Sequence, residues 1–221
     1  MRKNQKQSKS AIVLLSGGLD SATVLYYALK RGYSCRCLLF DYGQRHKKEL
    51  AAAEKIARGA GCPVQKVRIT LPWGGSSLLD KNAVLPHHKK NSRPAALPST
   101  YVPGRNTIFL SFALSYAETT KADALFIGAN AVDFSGYPDC RPGYYGAWNA
   151  LLKQLGVSVR IKSPLVRMTK AQIVRLGVRL GVPYENTWSC YGGGGKPCGN
   201  CDSCTYRARG FSEAKIADPA L

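Results

Sequence analysis

Short apolar runs alternate along the chain with longer stretches in which apolar positions recur every three to four residues. A-I-V-L-L (Ala11–Leu15) reads as a buried strand, C-R-C-L-L-F (Cys35–Phe40) as a second and V-Q-K-V-R-I (Val64–Ile69) as a third. A-L-F-I-G-A (Ala124–Ala129) and V-S-V-R-I (Val157–Ile161) supply a fourth and a fifth. Helical stretches lie between them. A-T-V-L-Y-Y-A-L-K-R is closed by Gly32; Arg45–Ala60 is closed by Gly61, with Ala51, Ala52, Ile56 and Ala57 as its apolar side. Asn106–Thr119, Tyr144–Leu155 and a stretch opening on Thr169 as N-cap complete the set. Strands alternating with helices predict a doubly wound α/β fold, a mostly parallel five-stranded sheet covered on both faces. Cys35 and Cys37 fall on one face of their strand, which points to buried structural thiols. The stretch Thr70–Thr100 has no period, and five prolines from Pro72 to Pro103 punctuate it, so it predicts a lid or a mobile insert.

Composition narrows the class. The chain has 221 residues, 45% of them hydrophobic, enough for one α/β domain with a full core. Its apolar runs are too short to cross a bilayer. Residues 1–10 read as a frayed basic tail with no export signal, so the expectation is a cytoplasmic protein with reduced thiols. The formal net charge of +19 raises nucleic acid as a partner. The basic residues, however, come in short clusters (Arg45–Lys48, His87–Lys90) without the interleaved aromatics that stack on bases. That argues against nucleic acid as the substrate.

Two motifs carry chemistry. S-G-G-L-D-S (Ser16–Ser21) follows the first strand and opens a helix. Its glycines let the backbone turn tightly, and free amides at a helix N-terminus favour phosphate. Ser16 and Ser21 add hydroxyls, and Asp20 is placed to cap the helix or meet a metal ion. The loop matches neither G-x-x-x-x-G-K-[ST] nor G-x-G-x-x-G. The second motif is Cys190, Cys198, Cys201 and Cys204, in the spacing C-x7-C-x2-C-x2-C. Four thiolates so spaced predict one structural zinc ion per chain, holding residues 188–221 as a small knuckle. A redox C-x-x-C pair and an iron–sulfur cluster remain as rivals.

S-G-G-L-D-S after an apolar strand resembles the pyrophosphate (PP) loop of the N-type ATP pyrophosphatases. F-D-Y-G-Q-R-H (Phe40–His46), Y-V-P-G-R-N-T-I-F-L (Tyr101–Leu110), D-F-S-G-Y-P-D-C-R (Asp133–Arg141), T-W-S-C-Y (Thr187–Tyr191) and the closing C-G-N-C-D-S-C resemble the 7-cyano-7-deazaguanine synthase family. The resemblance runs in order from Ala11 to Gly210, and places the PP-loop domain over residues 11–187 with an insert at 70–100. It implies that 7-carboxy-7-deazaguanine, ammonia and ATP with Mg²⁺ are converted to the nitrile through two adenylated intermediates, in a homodimer. The ATP residues it implies are Leu15, Ser16, Gly17, Gly18, Leu19, Asp20, Ser21, Ala22, Thr23, Val24 and Leu25. Ser16, Asp20, Ser21 and Arg105 are the expected catalytic residues, and Arg45, Asp133, Tyr137, Asp139 and Arg141 the expected substrate contacts. Asp133 and Asp139 suit a guanidine-like edge, and Arg45, Arg105 and Arg141 suit the substrate carboxylate or the phosphates. Cys140 is expected to pack, since the chemistry needs no thiol nucleophile. His46 reads equally as a base and as a solvated loop residue. The rival readings are a tRNA-modifying relative, a relative that adenylates a protein carboxyl terminus, and a zinc-dependent nucleic-acid binder.

Overall fold

The computed structural model describes residues 9–45, 47–80, 82–86, 97–131 and 137–220. Strands β1 (Ser10–Leu14), β2 (Ser34–Asp41), β3 (Val64–Arg68), β4 (Ala124–Ile127) and β5 (Arg160–Lys162) form one sheet in the order β3-β2-β1-β4-β5. Every pairing is parallel, so the sheet is wholly rather than mostly parallel. Such a sheet needs a layer on each face, and β1 shows both. Ala11 and Val13 pack with α1 (Leu19–Lys30), α2 (Lys48–Gly59), α5 (Lys170–Leu180) and α6 (Asp202–Ala214). Ile12 and Leu14 pack with α3 (Arg105–Thr119) and α4 (Pro142–Gln154) on the other face.

Three elements differ from the sequence expectation. The fifth strand begins at Arg160 and not Val157, because the Val157 amide is used to close α4 on the Leu152 carbonyl. Helix α2 begins at Lys48 and not Arg45, because the Arg45 amide donates to the Leu78 carbonyl in the insert. Its buried side is Ala53, Ile56 and Ala57, while Ala51 is exposed. Helix α6 was not expected at all. Cys35 and Cys37 are buried, as their strand positions predict.

The described ends of the insert are docked onto the domain. The Ser77 amide donates to the Ser99 carbonyl at 2.8 Å, and Leu71, Leu78 and Thr100 are buried. Strand order reverses at β1, with β2 on one side and β4 on the other, which opens a crevice at the carboxyl end of β1.

Candidate active site

The loop between β1 and α1 lies in that crevice and is shaped by backbone approaches that admit no side chain. A Cβ on Gly17 (φ +85°) would meet the Glu49 carbonyl at 2.2 Å and the Ala53 amide at 2.7 Å, so α2 lies directly behind the loop. A Cβ on Gly128, just past β4, would meet the Ser21 amide at 2.8 Å. The Ser16 and Ser21 hydroxyls sit 3.1 Å apart, and Ser21 Oγ also donates to the Gly18 carbonyl. Gly18 caps α1 without a side-chain bond, so the first amides of the helix open toward the crevice.

A cavity of about 270 Å³ fills the crevice, lined by Leu15, Ser16, Gly18, Leu19, Asp20 and Ser21. Of the other expected ATP residues, Gly17 backs onto α2. Ala22, Thr23, Val24 and Leu25 run into the core, where Thr23 Oγ1 accepts or donates to the Tyr184 hydroxyl at 2.8 Å. Helical geometry takes these four away from the loop, so of α1 only the first turn reaches the cavity.

Asp20 does not cap the helix. Its two carboxylate oxygens accept from Lys170 Nζ at 2.9 and 2.7 Å, and both residues line the cavity. Lys170 opens α5, whose N-terminus is fixed by a Thr169–Gln172 capping box. Gly210 of α6 makes room for it: a Cβ there would stand 2.3 Å from Lys170 Cγ. Sequence reasoning missed Lys170, since 150 residues separate the partners.

Arg105, at the start of α3, lines this cavity and an adjoining pocket of about 70 Å³. Its guanidinium lies 5.9 Å from the centre of the Tyr42 ring, and its charge opposes the rise that burial gives the Tyr42 phenol. Tyr42 is positioned by Gln44, whose side chain accepts from the Tyr42 amide at 2.9 Å and donates to the Phe40 carbonyl. Tyr137 and Asp139 line the side pocket. Tyr137 hydroxyl and Thr100 Oγ1 are 2.7 Å apart, which joins it to the insert. Burial raises the Asp139 carboxyl and Arg105 opposes that rise, while Asn106 Nδ2 at the start of α3 donates to the Asp139 backbone carbonyl at 3.4 Å. Arg45 lines the side pocket too, and its guanidinium donates to the Ala83 and Ser77 carbonyls of the insert. Arg141 is exposed at the start of α4 and lines neither space. Asp133 and His46 lie outside the described residues. Cys140 is buried yet reaches the cavity wall, and burial pushes its thiol up to about 12.

Glu49, in the first turn of α2, lines both spaces and escaped sequence reasoning. Burial pushes its carboxyl up to about 7, against the pull of Arg105.

The four cysteines converge, with all four sulfurs within 4.8 Å of one another. A single tetrahedral ion with bonds of about 2.3 Å needs sulfurs roughly 3.8 Å apart, so one metal ion fits the set. A multi-iron cluster, ligated through separate irons, would hold them further apart. Cys190 Sγ accepts amides from Gly192 (3.2 Å) and Cys198 (3.3 Å), bonds that suit a thiolate. Cys201 and Cys204 do open a helix, as a redox pair would, but the other two thiols share their space. The knuckle forms part of the cavity wall through Trp188, Ser189, Tyr191, Ser203 and Tyr206. The glycines Gly192–Gly195 do not line it. Arg207, buried on α6, holds this wall in place. It pairs with Asp218 at 2.6 and 2.8 Å and donates to Thr187 Oγ1 at 2.7 Å.

A wholly parallel 3-2-1-4-5 sheet with a Gly-Gly loop at its switch point defines an α/β protein of the PP-loop class. The structure of NMN synthetase from Francisella tularensis shares this fold, with a TM-score of 0.50 at 14% identity over 96% of this chain and 89% of that one. Residues 10–215 match the family described as "Queuosine biosynthesis protein QueC", and the chain belongs to it. It is 50% identical to the 7-cyano-7-deazaguanine synthase of Thermoplasma acidophilum, over 96% of this chain and 92% of that protein. It is 49% identical to the one from Anaeromyxobacter dehalogenans, over 99% and 98% respectively. No helix among the described residues is long and apolar enough to cross a membrane.

Proposed function

We propose that the protein converts 7-carboxy-7-deazaguanine and ammonia to 7-cyano-7-deazaguanine at the expense of two ATP, in the biosynthesis of queuosine. The observation that carries this reading is one cavity bounded by the PP loop, Arg105 and the knuckle, in a chain half identical to synthases of that name. The substrate carboxylate attacks the α-phosphorus of ATP, forming the acyl adenylate and releasing pyrophosphate. Ammonia adds to the acyl carbon, the C–O bond to AMP breaks, and the amide remains. The amide oxygen attacks a second ATP in the same way. Loss of the N–H protons and departure of AMP then leave the nitrile.

The first-turn amides of α1 with Ser16 and Ser21 hold the leaving pyrophosphate. Mg²⁺ bound with the nucleotide would spread the charge on the phosphates, and Asp20, which lines the cavity beside the loop, would be a carboxylate for it. Arg105 meets the substrate carboxylate or the α-phosphate. The knuckle residues in the cavity wall help to keep water from the adenylate. Zinc held by Cys190, Cys198, Cys201 and Cys204 would have no open ligand position, so its role would be structural. The same reading makes the protein a cytoplasmic homodimer. Among the rivals, RNA modification and protein adenylation are disfavoured by relatives about half identical over nearly the whole chain that carry the synthase name.

The test is pyrophosphate exchange into ATP. Exchange that depends on 7-carboxy-7-deazaguanine and proceeds without ammonia supports adenylation of the acid. Exchange without that dependence, or none, counts against it.

A further inference from the structure

The first turn of α2 aims a carboxylate into the site with nothing to bind. Among the described residues, no hydrogen bond or ion pair reaches the Glu49 carboxylate, although it lines both the main cavity and the side pocket. A glutamate in a helix's first turn normally rests in water against the dipole. This one faces a chamber walled by Phe40, Tyr42, Phe109 and Tyr191. Those flat, apolar surfaces suit an aromatic heterocycle. A carboxylate in such surroundings gives up hydration and recovers it only when a ligand brings donors. Of the two acids expected from sequence to read the heterocycle, Asp139 is already drawn by Arg105 against the rise that burial gives it, and Asp133 lies outside the described residues.

Resting on the function proposed above, we propose that Glu49 reads the guanine-like edge of the 7-deazapurine, accepting its ring N–H and exocyclic amino group in two parallel bonds. A carboxylate matches that donor pair atom for atom, and a neutral amide does not. Glu49 therefore sets which heterocycle is activated, while the PP loop acts on ATP.

The experiment compares 7-carboxy-7-deazaguanine with its analogue lacking the 2-amino group, at saturating ATP and ammonium, in wild-type protein and Glu49→Gln. A site built on a substrate N–H rejects a ligand lacking it by as much as ~10⁴ in kcat/KM. We expect wild type to prefer the amino substrate by at least ~10²; Glu49→Gln should reduce that preference to below about tenfold, mainly through KM for the heterocycle, with KM for ATP unchanged. Dissociation constants of the two ligands carry the same comparison if the variant turns over slowly. Equal use of both substrates by wild type overturns the assignment without any variant, and so does an undiminished preference in Glu49→Gln. Wild-type protein that activates neither heterocycle overturns the proposed function itself, and this inference with it.

Discussion

Replacing Glu49 with glutamine should stabilise the fold while it damages substrate selection. The carboxyl ordinarily titrates near 4.5, and burial in the cavity wall lifts it to about 7. The folded state therefore binds more protons than the unfolded chain between those values, and stability falls as pH rises through that window. The penalty is absent well below 4.5 and complete above about 7. At about 1.4 kcal/mol per pH unit it amounts to ~1 kcal/mol at pH 5 and at most ~3 kcal/mol at pH 8. Among the described residues, the charged and titratable groups facing Glu49 are Arg105 from α3, Tyr42 beyond β2, and Tyr191 from the knuckle. Burial raises both phenols, so neither titrates in the window, and Arg105 keeps its charge. Glutamine has the shape of the neutral acid and carries no such penalty. Thermal melts of both proteins at pH 5 and pH 8 should show Glu49→Gln more stable, with an advantage roughly 4–8 °C larger at pH 8. An advantage that does not change with pH, or a variant less stable at pH 8, would refute the reasoning.

Asp20→Ala should lower turnover by at least ~10²-fold in steady-state assays and also lower Tm by several degrees, because it leaves the buried Lys170 ammonium without its carboxylate. Wild-type rates would contradict the role given to the loop. Gly128→Ala puts a methyl group 2.8–2.9 Å from the backbone of Asp20 and Ser21, which cannot yield as a side chain can. It should raise KM for ATP about tenfold or more, with a smaller effect on KM for the heterocycle. Elemental analysis should find one zinc per chain. Cys201→Ser should lose it together with the order of the α6 start and of Trp188 and Tyr191, read as a loss of near-ultraviolet circular dichroism. A metal-free protein that stays folded and active would contradict the structural role of the ion.

The sheet was legible because β1, β2 and β4 are nearly continuous apolar runs, which a sheet buried on both faces requires. The loop was legible because its glycines and serines are contiguous. Helix α6 was not: its buried face is Cys204, Arg207, Gly210, Phe211 and Ala214, and an arginine and a glycine disguise the helical period. The site residues that escaped are those brought together by the fold. Lys170 meets Asp20 across 150 residues, and nothing around Glu49 in sequence sets it apart from a surface glutamate. Residues inside quoted motifs also make local bonds that the motifs do not announce: Arg45 donates to carbonyls of the insert, and the Asp139 backbone carbonyl accepts from the Asn106 side chain. Motif membership pointed to the cavity, while the roles proposed within it rest on which groups the fold brings together.

The most direct test of the central claim is one incubation with ATP, Mg²⁺, ammonium and 7-carboxy-7-deazaguanine carrying ¹⁸O in both carboxylate oxygens, read by mass spectrometry. Each adenylation transfers one oxygen to AMP. The account predicts the unlabelled nitrile and two AMP per nitrile, each with one ¹⁸O. An unconsumed carboxylate, or a nitrile formed without label in AMP, would contradict it.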